Sequence, residues 1–105
     1  TAHNSKIVFV LVPARQQIDE TNWVNSARVY KLDPKDYDIF KPNNILYQFM
    51  KNKGIPFVDL LPVFKKIPGN KTLYYGEGHL AKEGHRVTAM EISKAIINYD
   101  LISTK

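Results

Sequence analysis

The sequence predicts an α/β protein built on parallel strands, a partial three-layer αβα arrangement, and three observations carry that expectation. Lys6-Ile7-Val8-Phe9-Val10-Leu11-Val12 is an unbroken β-branched and aromatic run stopped by Pro13. A second short run, Ile55-Pro56-Phe57-Val58, follows a helical stretch that ends on Gly54. A long amphipathic helix closes the chain. Strand, helix, glycine and strand in that order is the grammar of a βαβ unit.

The first run does not alternate, so it reads as a strand covered on both faces, as a central parallel strand is. Ala14 to Glu20 suits a short helix. From Thr21 to Phe40 no period stands out, and Asn, Asp, Tyr and Pro are frequent, so this stretch reads as an irregular loop or lid with at most one helical turn. Pro42 fits the start of a helix, with Ile45, Leu46, Phe49 and Met50 as its apolar stripe. Gly54 stands where a left-handed cap is wanted. Asp59 ends the second strand and is placed to cap a turn over Leu60 to Lys66. Lys71 to Tyr75 is too short to assign.

The last helix is expected from about Ala81 to Tyr99. His85, Ala89, Ile92, Ile96 and Tyr99 fall on one stripe, taken as the side facing the sheet. Val87, Met90, Ile97 and Leu101 form a second stripe opposite. A helix lying on a sheet needs only one such side. Two strong strands are also few for a self-sufficient parallel sheet. Residues 1–105 therefore read as a single domain or the C-terminal part of a larger one. The second stripe would be covered either by a second copy or by an N-terminal part.

The 105 residues carry 15 Lys and Arg against 10 Asp and Glu, a formal charge of +5. That charge is spread out, and no aromatic-basic or helix-turn-helix pattern accompanies it, so a nucleic-acid partner is not expected. With no cysteine, disulfides and thiol chemistry are excluded, and the redox compartment stays open. No stretch is long and apolar enough for a membrane span.

Tyr75-Gly76-Glu77-Gly78-His79 is the segment with chemistry in it. A histidine in a loop before a helix can serve as general base, and a carboxylate two residues away can fix its tautomer. Gly76 and Gly78 allow the tight turn this requires. An ordinary surface turn explains the same residues. His85 reads as a packed helix histidine, with a zinc site of Glu77, His79 and His85 as a further option; no metal or cofactor is expected on balance. His3 is near the chain start. Ser5, Ser26, Ser93 and Ser103 all lack the glycine-rich elbow of a catalytic serine. Asn70-Lys71-Thr72 fits a glycosylation acceptor, and Arg15 sits beside a strand end, where it would face an anionic ligand or simply water.

The order of segments resembles the C-terminal portion of SGNH (GDSL-like) hydrolases, particularly the branch with bacterial polysaccharide O-acetyltransferases. The matching blocks are Val8 to Asp19, a buried strand ending in Pro before a polar helix; Gly54-Ile55-Pro56-Phe57-Val58-Asp59-Leu60; and Glu77-Gly78-His79-Leu80-Ala81-Lys82-Glu83-Gly84-His85-Arg86. The resemblance implies that His79 is the catalytic base, Glu77 its orienting acid, and Gly84 and His85 structural residues opening the helix. It implies an acyl esterase or O-acyltransferase acting on an acylated glycan or lipid, outside the cytoplasm or at a membrane. Two departures stand out: Glu replaces the usual Asp at position 77, and no Ser-nucleophile or oxyanion block is present. Alone, the chain should be inactive. The competing expectation is a non-catalytic interaction module with a degenerate SGNH-like fold.

Overall fold

The computed structural model describes residues 6–99. Its sheet has two parallel strands, β1 (Phe9–Leu11) and β2 (Phe57–Asp59), in the register Phe9 to Phe57, Val10 to Val58 and Leu11 to Asp59. Among the described residues five α-helices accompany it: α1 (Arg15–Ile18), α2 (Glu20–Val29), α3 (Lys41–Lys53), α4 (Leu60–Lys66) and α5 (Lys82–Asn98). Two 3₁₀ turns, Pro34–Asp36 and Asn70–Leu73, join them. The mixed α/β class and the parallel pair agree with the expectation from sequence.

The ends of the elements follow their local chemistry. Gly54 adopts φ 65°, and its N–H bonds back to the last turn of α3. A left-handed residue stops a helix this way, and glycine does so without a Cβ clash. Asp59 accepts from the Leu61 N–H at 3.2 Å and so caps α4. Thr21 to Phe40 contradicts the loop reading, because α2 fills its first nine residues. The signal lay just upstream, where the buried Asp19 carboxylate accepts from the Asn22 N–H at 3.2 Å. Only Ala27 of α2 is fully buried, so the helix has a start signal but hardly any apolar period.

Alternation along the strands separates the two faces of the sheet. Val58 belongs to a core with Leu60, Phe64, Leu73, Tyr74, Val87 and Ala95, and Val8 and Val10 pack against it. On the opposite face Phe57 meets the Tyr47 ring of α3 edge-on, with centroids 5.5 Å apart. That face is thinly covered. Phe9 is 45% exposed, and Ile7 and Val12 also reach water, so β1 is not the doubly covered strand its sequence suggests. Of the α3 stripe only Met50 is buried; Ile45, Leu46 and Phe49 are open.

The last helix corrects the wheel reading. Its buried side is Gly84, Val87 and Ala95, which lies between the two expected stripes. His85, Ala89 and Tyr99 are exposed, while Ile92 and Ile96 are half-buried. Closeness is the reason. A Cβ on Gly84 would stand 2.3 Å from the Leu73 carbonyl oxygen and 2.9 Å from Leu80 Cδ2. A helix backbone this near its neighbour turns inward Gly84 and Ala95 with Val87 beside them, and the larger Met90 and Ile97 are left on the outer flank. On the outer flank Met90 is open and Ile97 is 77% exposed; Leu101 and His3 lie outside the described residues.

Candidate functional site

The acid–histidine loop hangs from two backbone contacts. Tyr74 and Leu80 form an isolated antiparallel bridge, and inside it Tyr75 N–H donates to His79 O at 2.7 Å. Gly78 N–H then bonds Tyr75 O at 2.9 Å, with Gly78 at φ 100°, a conformation that side-chain-bearing residues rarely adopt. The five residues Tyr75–His79 are thus a closed turn, not a wandering loop.

Two side chains fix that turn beyond the C-terminal end of β1. The buried Tyr74 hydroxyl donates to Pro13 O, and burial pushes its ionisation up to about 12. Arg15, in the first turn of α1, donates from Nη1 to Gly76 O at 2.6 Å. The same guanidinium stands 3.7 Å from the Asp19 carboxylate, which also faces Lys71 Nζ at 3.8 Å. Arg15 is therefore engaged within the chain rather than simply turned out to water. It braces the loop from a carboxylate buried at the start of α2. Sequence reasoning missed Asp19 and Tyr74 as supports of the site; the only available hint was Asp19 standing three residues before Asn22, as a helix cap does.

Glu77 and His79 do come together. His79 Nδ1 lies 3.4 Å from Glu77 Oε1, with side chains 84% and 61% exposed. Nδ1 facing the carboxylate leaves Nε2 turned away from it, the arrangement a general base needs to receive a proton on its outer nitrogen. In water such a pair contributes little energy, of order 0–1 kcal/mol. It acquires strength only if a partner or substrate excludes solvent.

His85 does not join them. It is an exposed residue of α5, and among the described residues no three His, Asp or Glu side chains are grouped to hold a metal. The neighbouring polar pair belongs to the helix itself: Arg86 Nε donates to Glu83 Oε1 at 2.8 Å, and the guanidinium holds the Glu83 carboxyl below its ordinary range. Of the serines in the described residues, Ser26 lines an apolar groove on the α2–α3 side and Ser93 is exposed in mid-helix. Neither groove on that side includes His79 or Glu77 among its lining residues.

No family model matches the chain, and no curated protein or solved structure is similar enough to count as a match.

Proposed function

We propose that this chain is the acid–histidine part of an SGNH-like acyl esterase or O-acyltransferase, working with a Ser nucleophile that it does not itself contain. One observation carries the reading. The closed Tyr75–His79 turn is fastened by Tyr74 and Arg15 just past the C-terminal end of β1, the side on which α/β proteins place their chemistry, with Nδ1 of His79 on Glu77. Parallel strands with helices on both faces fit the three-layer architecture that goes with it.

In that role His79 Nε2 takes the proton of the Ser hydroxyl as its oxygen attacks an ester carbonyl. Glu77 stabilises the imidazolium, and the proton then passes to the departing alkoxide. Glu reaches further than Asp by one methylene, and the separation of 3.4 Å leaves room for the pair to tighten when solvent is excluded. The substrate class, an acylated glycan or lipid met outside the cytoplasm or at a membrane, follows from the resemblance. The nucleophile-bearing part would cover the outer flank of α5, along Met90 and Ile97; Val87, expected on the same stripe, is already buried in the core.

The test is rate against His79. In a polypeptide that unites this chain with its nucleophile block, His79→Ala should cut ester turnover by about 10³-fold or more while leaving the fold intact. Wild-type turnover in that variant would overturn the assignment. The chain alone should not hydrolyse short acyl esters beyond the rate of free imidazole. Turnover abolished by Ser26→Ala or Ser93→Ala would show a nucleophile within it.

A second reading, a non-catalytic interaction module, is favoured by the exposure of both His79 and Glu77. It predicts that His79→Ala changes no rate in any context.

A further inference from the structure

Among the described residues, strand β1 has a partner along one edge only. Phe9 N–H donates to Pro56 O at 3.1 Å, and the sheet ends there, with the order β1-β2. Alternate residues of a parallel ladder turn their N–H and C=O to opposite edges. Val10 therefore presents both groups away from β2, and no strand among the described residues meets them. Monomeric proteins blunt such edges with charge, proline or a bulge. Ile7 to Val12 has none of these; the nearest charge is Lys6 and the nearest proline is Pro13.

The chemistry around the edge says what would cover it. Val10, Leu11 and Val12 form one wall of a groove of about 700 Å³, whose other walls include Trp23, Tyr30 and Leu46. An acyl chain would satisfy the apolar walls but offers nothing to the peptide groups of Val10. An extended, apolar stretch of backbone satisfies both. This chain supplies such a stretch, and it is its own complement. Paired antiparallel about Val10, two copies set Phe9 against Leu11 and Val8 against Val12, and each Lys6 falls opposite Ala14 rather than the other Lys6. Val10 then exchanges both of its outward hydrogen bonds with Val10 of the partner subunit.

We propose that the open edge of β1 and its groove are a homodimer interface, in which two β1 strands pair antiparallel across a two-fold axis to give a four-stranded sheet. The side chains around the edge suit such a partner: Phe9, Val12, Tyr30 and Leu46 are all open to solvent. Neither His79 nor Glu77 lines the groove, so the dimer stands or falls separately from the acid–histidine chemistry.

Sedimentation equilibrium of the chain from low to high micromolar concentration tests it. The wild type should approach twice 12.1 kDa. Val10→Pro deletes the outward N–H while sparing the Phe9–Pro56 bond, as an edge proline does. Two hydrogen bonds are lost per dimer, and association should weaken by at least about tenfold. If circular dichroism shows that Val10→Pro does not fold, Val12→Lys, which puts a charge on the exposed rim of the edge, takes its place with the same expectation. A wild type that stays monomeric throughout overturns the proposal, as does a folded variant that dimerises as tightly as the wild type.

Discussion

Gly84→Ala is the sharpest probe of how α5 is seated. An added Cβ would lie 2.3 Å from Leu73 O, well inside any real contact, and 2.9 Å from Leu80 Cδ2. The leucine side chain can rotate away, but the carbonyl cannot move freely, because Ala81 N–H donates to it at 2.8 Å. Relief requires α5 to back off or that hydrogen bond to break. Overpacking of this kind costs about 1–3 kcal/mol, and the lost bond adds about 1 kcal/mol. Alanine returns about 0.5–1 kcal/mol of helix propensity. The net expectation is a destabilisation of roughly 1–3 kcal/mol, which for a domain of this size lowers Tm by on the order of 10 °C. Urea unfolding followed at 222 nm reads it directly. Gly76→Ala is the control, since a Cβ there meets nothing within 4 Å, and it should unfold with the wild type. A Gly84→Ala variant at least as stable as the wild type would refute the close seating of α5.

Other expectations concern the supports of the loop. Tyr74→Phe should cost about 1–2 kcal/mol by leaving Pro13 O without its donor. Alkaline titration of tyrosinate absorbance should show one group ionising near 12, and Tyr74→Phe should delete that step. The sign for stability follows, because a folded pKa above the unfolded value of about 10 means the buried phenol favours the folded state at lower pH. That contribution should drain away as pH rises from about 10 toward 12. Arg15→Met should speed amide exchange at Tyr75 and Gly78 without unfolding α5, because only the hold on Gly76 O and the contact with Asp19 are lost. Asp19→Ala removes the cap of α2 and strands the Arg15 guanidinium, so it should cost about 1–2 kcal/mol or more in thermal unfolding.

Punctuation made much of the fold legible in the sequence. Gly54 after an amphipathic run, Asp59 before another and Pro13 after a β-branched run each act within a few residues, and each ends its element where expected. The turn at Glu77–His79 was legible for the same local reason. What escaped was decided at a distance. The inward side of α5 depends on how near Leu73 comes, and no wheel contains that separation. Likewise α2 is held by a buried cap and a single alanine, so hydrophobic period could not announce it. The coverage of β1 was overestimated because a continuous apolar run reports the capacity to be buried at either face, not the presence of something to bury it.

The ties at Tyr74–Pro13 and Arg15–Gly76 each join residues 61 positions apart. Contacts that close so long a loop form late, since most of the chain must already be ordered before their gain exceeds the entropy they cost. During synthesis β1 and α1 emerge before the segment that will clasp them, with an apolar edge open meanwhile. The turn carrying His79 can close on its own local hydrogen bonds, but its seating against β1 and α1 is among the last contacts to form.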